Sequence, residues 1–140
     1  MDEKKIDWRE CLNKKIAKPV EKDENLIISL KKTSKNKLKS SDELTNNDIN
    51  VASKVSLAYD SLRELLEALA IEKGYKIYNH ECYTAFLKEI IEESEKGDEF
   101  DEIRKIRNSI NYYGKELSIE EARNIINKIK FLRNFVFGLF

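Results

Sequence analysis

"VASKVSLAYDSLRELLEALAIEKG", residues 51–74, is the stretch on which the fold turns. Its apolar residues Val51, Val55, Tyr59, Leu62, Leu66 and Leu69 recur at steps of three and four, the spacing of one face of an α-helix. The polar run "TNNDIN" opens this helix and Gly74 supplies its stop. A long helix with one apolar stripe needs other helices to cover it, and the flanking sequence provides them. Residues 24–40 carry a thin stripe (Ile27, Leu30, Leu38) in a lysine-rich remainder. Asn79 is a natural N-cap for a helix with the stripe Tyr83, Phe86, Leu87, Ile90 and Ile91, and Gly97 marks the expected break after it. From about Glu99 to Tyr113, Phe100, Ile103, Ile106 and Ile110 share a face, and Gly114 is suited to the C′ position. Ser118 and Glu121 form a capping box for a last helix with Ala122, Ile125, Ile126, Ile129 and Leu132, ending in the apolar "FVFGLF".

Upstream, residues 7–16 predict a short helix with Asp7 as N-cap and Glu10 three residues on, closed off by Pro19. Trp8 is expected to anchor it by packing. No segment alternates at period two for long enough to predict a strand. The expectation is an all-α, up-and-down bundle of about four main helices plus a short N-terminal helix. It forms one domain over residues 1–140, with 1–22 as short helix and linker and 23–140 as the bundle.

Composition agrees, because one proline and four glycines in 140 residues favour helix. No apolar run approaches the length of a membrane span, and "MDEKKIDWRE" has no apolar signal region, so a soluble, cytoplasmic protein is expected. Cys11 and Cys82 lie far apart in sequence, which predicts two buried free thiols. The formal charge of zero hides an asymmetry. Residues 88–102 hold 2 basic and 8 acidic side chains, whereas residues 103–140 hold 8 basic and 3 acidic. Polyanion binding by the basic segment is compatible with this pattern without being demanded by it.

That basic segment contains "IRNSINYYG", residues 106–114. With Ile103 as origin and about 100° per residue, Arg104, Arg107 and Asn111 fall at about 100°, 40° and 80°. They form a polar ridge beside the core stripe, where a second subunit or a ligand can meet the helix. Arginine there can hold phosphate with its planar fork of donors, or can pair with the many carboxylates of the chain. Asp60, Glu64 and Glu67 share a polar face on the strongest helix. In "NHEC", His80, Glu81 and Cys82 lack the second pair that a tetrahedral metal site requires, so no metal is expected.

Three stretches resemble the HEPN family (higher eukaryotes and prokaryotes nucleotide-binding), in its archaeal-type minimal form. They are "AYDSLRELLEALAIEKGYKIYNHECYTAFL" (58–87), "IRKIRNSINYYGKELS" (103–118) and, more faintly, "DWRECLNKKIAKPV" (7–20). The resemblance implies an RNA- or nucleotide-associated module of toxin–antitoxin or defence type, working as a homodimer without a cofactor. A minimal nucleotidyltransferase antitoxin is the implied partner. The alternative is a non-catalytic dimeric subunit for such a transferase or another protein. The family motif is Arg, a polar residue, then His after four to six positions. Arg107 and Asn108 match its first half, but the later positions hold Tyr112, Tyr113 and Gly114.

Catalytic members resemble metal-independent ribonucleases, so the implied catalytic set is Arg107, Asn108 and Tyr112, with tyrosine in the place of histidine. Residual ribonuclease activity and none at all both stay open. Arg104, Arg107, Asn111, Tyr112 and Tyr113 are the implied binding set, and a nucleotidylated tyrosine is a further implication. The resemblance sets the strongest helix beside the motif helix, making Glu64 the first choice of acidic partner for Arg107. His80 is either a plain helix-start residue or a stand-in, in space, for the missing motif histidine.

Overall fold

Asp7, Asp23, Asn79 and Ser118 each lie one residue before a helix and accept a hydrogen bond from a backbone N–H of its first turn. Single polar residues thus fix four helix starts by satisfying donors that the helix cannot pair itself. Ser118 does so reciprocally with Glu121, completing the expected capping box. The computed structural model describes residues 5–114 and 116–140, apart from the side chains of Tyr112 and Tyr113. Among them run α1 (Trp8–Asn13), β1 (Ala17–Pro19), α2 (Glu24–Glu43), α3 (Val51–Glu72), β2 (Tyr75–Ile77), α4 (His80–Ala85), α5 (Ser94–Tyr113) and α6 (Ile119–Phe137). A π-helical turn, Phe86–Ile90, continues α4. The all-α bundle is therefore as expected.

The stripe of α3 is its centre. Tyr59, Leu62, Leu65, Leu66 and Leu69 are fully buried, each contributing roughly 1.5–3 kcal/mol by leaving water. Helices α2 and α6 cover α3 along most of its length, while α5 and the α4 segment close the remaining side. The thin stripe of α2 suffices because serines let it approach α3 closely. Ser34 Oγ donates to the Ser61 carbonyl and Ser61 Oγ donates to the Ser34 carbonyl, both at 2.6 Å. Arg133 of α6 donates from Nε to both hydroxyls, at 2.9 and 3.2 Å, and so ties three helices at one point.

Three expectations need correction. First, Gly97 is not a break but lies inside α5. The chain turns earlier, where the π turn ends and Glu92 takes a left-handed φ of 63°. A side chain at Gly97 would sit 2.5 Å from Lys88 Cγ and 3.1 Å from the Thr84 carbonyl, so glycine serves close approach there. Second, β1 and β2 form a three-pair antiparallel ladder, Ala17↔Ile77, Lys18↔Lys76 and Pro19↔Tyr75. Third, Cys11 and Cys82 are not free thiols but a disulfide with Cα atoms 6.1 Å apart. The ladder explains this pairing, since α1 leads into β1 and α4 follows β2, so the strands bring the two cysteines side by side. Among the described residues, no helix is long and apolar enough to cross a membrane.

Candidate functional site

The N-cap Asn79 starts α4 directly after β2, and this places His80 at the mouth of a cleft between α4 and α5. Tyr78, Asn79, His80, Glu81, Arg104, Arg107 and Asn108 line this cleft. Behind His80 and Arg107 lies Tyr59 of α3, which is fully buried. The Tyr59 hydroxyl lies 2.8 Å from His80 Nδ1, and the Arg107 guanidinium carbon lies 5.1 Å from the Tyr59 ring centroid. One buried aromatic therefore positions a histidine and an arginine from two different helices, by a hydrogen bond and a cation–π contact. Burial raises the Tyr59 pKa well above the tyrosine range, against the pull of Arg107, Arg104 and Arg63, so the hydroxyl keeps its proton. Burial, then Arg63, Arg107 and Arg104, push His80 down to about 4 against the opposing pull of Asp60. His80 is thus a neutral imidazole near pH 7.

The two arginines of the expected ridge differ in company. Arg104 donates to Asp101 Oδ1 from Nη2 at 2.8 Å and from Nε at 3.2 Å, and lies 3.9 Å from Glu81 Oε1. Burial pushes the Asp101 carboxyl up, but Arg104 and Lys105 outweigh it and hold that pKa below the usual range. The charge of Arg104 is thereby largely answered within the chain. Arg107, one turn on, has no carboxylate at ion-pair distance among the described residues. With its amide oxygen turned inward, Asn111 accepts from Arg107 Nε at 3.0 Å and Nη2 at 3.3 Å. Asn111 thus positions the guanidinium rather than neutralising it.

Glu64, the expected acidic partner of Arg107, is a correction. It accepts from Lys37 Nζ of α2 at 2.6 Å, and its second carboxylate oxygen is buried without a partner. Five residues after Tyr59, it points about 140° away from that side chain around α3, toward α2 instead of α5. Tyr112 and Tyr113 end α5, but their side chains lie outside the described residues. Sequence reading missed Tyr78, an exposed ring at the cleft edge with Lys18 and Lys76 at 5.7 and 5.8 Å from its centroid. The three-residue strands that gather these cations carry too short a pattern to be seen in sequence.

Comparison with curated proteins and with solved structures finds no match. A family model does match, that of the HEPN domain, over residues 28–139, which run from within α2 through α6 and include every lining residue of the cleft. An all-α bundle with its arginine–asparagine pair on the penultimate helix, matched over most of its length, belongs to the HEPN family of nucleotide- and RNA-associated domains.

Proposed function

We propose that this HEPN protein binds RNA or a nucleotide at the α4–α5 cleft, as a homodimeric module of toxin–antitoxin or defence type. The observation that carries the reading is Arg107. It is partly exposed, held in place by Asn111 and Tyr59, and without a carboxylate among the described residues, whereas Arg104 beside it is paired. A positioned guanidinium with free charge suits a phosphate, which it can grip with two donors. Tyr78 offers a ring on which a base can stack, and Lys18 and Lys76 add positive charge along the approach. Tyr112 and Tyr113, which follow Asn111 in sequence, stay in the proposed binding set.

The test is fluorescence anisotropy with short single-stranded RNA at several salt concentrations. Arg107→Ala is expected to weaken binding about tenfold or more, since a hydrogen bond to a charged group is worth about 1.5–3 kcal/mol. The slope against log salt should fall by roughly 0.7 for the lost phosphate contact. Tyr78→Ala should weaken binding with that slope unchanged, because tyrosine neutralises no phosphate. An Arg107→Ala curve that overlays wild type at every salt concentration would refute the site.

The homodimer has its own support. Phe131 and Phe137 of α6 are 78% and 56% exposed, apolar surface that a second copy can cover. Light scattering at micromolar concentration is expected to give twice the chain mass, and a strictly monomeric mass would refute the dimer. The same phenylalanines favour a second reading, in which the dimer is a non-catalytic subunit that docks a minimal nucleotidyltransferase or another protein. RNA binding absent from wild type would leave that reading in its place.

A further inference from the structure

We infer that the seam between α2 and α6 docks on an anionic lipid bilayer, with lysines of α2 on the headgroups and the rings of Phe137 and Phe140 in the apolar layer beneath them. From Asn25 to Ser41, α2 carries five lysines and no acidic residue. Of these, only Lys37 has a carboxylate at ion-pair distance among the described residues, that of Glu64 at 2.6 Å. At about 100° per residue, Ile28, Lys32, Lys35 and Lys39 fall within an arc of about 60°. All four are exposed, on the side of α2 away from the buried Ile27, Ser34 and Ser41. Lys31 beside them links this stripe to the end of α6, with Nζ 3.8 Å from the Phe140 ring centroid and 5.9 Å from that of Phe137. Three large apolar side chains that stand exposed, Ile28, Phe137 and Phe140, thus gather around one cation.

Arg133 adds a fixed positive charge to the seam. It lies one turn before Phe137 on α6, and its Nε donates to the hydroxyls of Ser61 and of Ser34, the latter one turn after Lys31 on α2. Like the lysines of the stripe, it has no carboxylate at ion-pair distance among the described residues. Unanswered cations beside exposed apolar side chains match both layers of a membrane interface. Long lysine stems keep their charge at the phosphates while neighbouring rings sink below them. RNA would answer the positive charge but offers Ile28 no apolar cover. The seam is also separate from the α4–α5 cleft, because α3 stands between them, with Glu64 turned to α2 and Tyr59 to α5. Phe137 lies about 120° around α6 from Phe131, so a second copy seated on Phe131 need not cover the seam.

The experiment uses the full chain in vesicle flotation, with vesicles of equal parts phosphatidylglycerol and phosphatidylcholine beside vesicles of phosphatidylcholine alone. Wild type is expected to float with the anionic vesicles, to stay behind with the neutral ones, and to be released as salt rises. An excess of glycerol phosphate should not displace it, because a headgroup without its bilayer leaves the rings uncovered. Replacing Lys32, Lys35 and Lys39 together by glutamine should weaken partitioning about a hundredfold, at about fivefold for each lysine beside an anionic surface. The same variant should bind short RNA as wild type does. Phe137→Ser with Phe140→Ser should weaken partitioning and leave its salt dependence unchanged, since neither ring is charged. Phe140→Trp, which keeps a ring under Lys31, should lose fluorescence on anionic vesicles with brominated acyl chains, beyond any loss in wild type, whose Trp8 is buried. Wild type that ignores the anionic vesicles, or that glycerol phosphate strips from them, overturns the inference. So does binding to neutral vesicles that matches the anionic ones, or a triple lysine variant that partitions as wild type does. If wild type ignores the vesicles and the triple variant loses RNA, the stripe is an RNA contact instead.

Discussion

Replacing Cys11 and Cys82 together by alanine is expected to lower the unfolding free energy by about 4 kcal/mol, the loop-entropy value for a cross-link of this span. The two cysteines are separated by 71 positions, so the bond removes a large set of open conformations from the unfolded chain. Little else ties the N-terminal segment down. The β1–β2 ladder has three pairs, and α1 is one and a half turns long. Trp8 adds packing, with its ring 5.1 Å from Tyr75 and 5.9 Å from Phe86, and its backbone N–H donates to Glu89 Oε2 at 2.6 Å. Urea unfolding of wild type, of the double variant and of wild type with a reductant checks the expectation. Reduction should reproduce the loss in wild type and change nothing in the variant. Equal midpoints for all three would show that α1 is held by packing alone. Because His80 lies two residues before Cys82, the variant should also shift the titration of this sole histidine upward.

The fold was legible where a local rule and the tertiary demand coincide. The stripe from Val51 to Leu69 is buried along α3, and the caps at Asp7, Asn79 and Ser118 bond as their residue types suggest. Gly97 misled because glycine has two uses. At Gly114 it takes the left-handed cap conformation, with φ 64°, while at Gly97 it admits a neighbouring chain. Only the packed structure tells the two apart.

The candidate site was half legible. Arg107 and Asn111 fall on one ridge by helical arithmetic, and they do meet. Arg104 fell on it too, yet no wheel reveals that Asp101, three residues back, occupies its guanidinium. Glu64 shows the limit from the other side. Periodicity identifies a polar face but not which neighbour it meets, and this face meets Lys37. His80 and Arg107 are 27 positions apart on separate helices, so their approach depends on Tyr59 and on the turn of chain through β2.

The aromatic stack under the cleft makes core and site one object, and Phe100→Ala tests this. Phe100 is fully buried, stacked on Tyr59 at 6.1 Å with an 18° interplanar angle and edge-on to Tyr83 at 6.2 Å. Truncating such a ring to a methyl group costs about 3–5 kcal/mol, from lost transfer energy and the cavity left behind. It also removes the surface that keeps Tyr59 flat against α5. Phe100 lies two turns before Arg107 on the same face of that helix, so the loosened ring is the one carrying both Arg107 and His80. The variant should therefore unfold at lower urea, and its His80 should titrate closer to 6.5 than the wild-type value of about 4, since burial is the main cause of the depression. Phe100→Leu, which keeps most of the volume, should lose less than about 1.5 kcal/mol and leave the His80 titration near wild type. An unchanged His80 titration in a clearly destabilised Phe100→Ala would separate core from site, and Tyr59 would then owe its position to α3 alone.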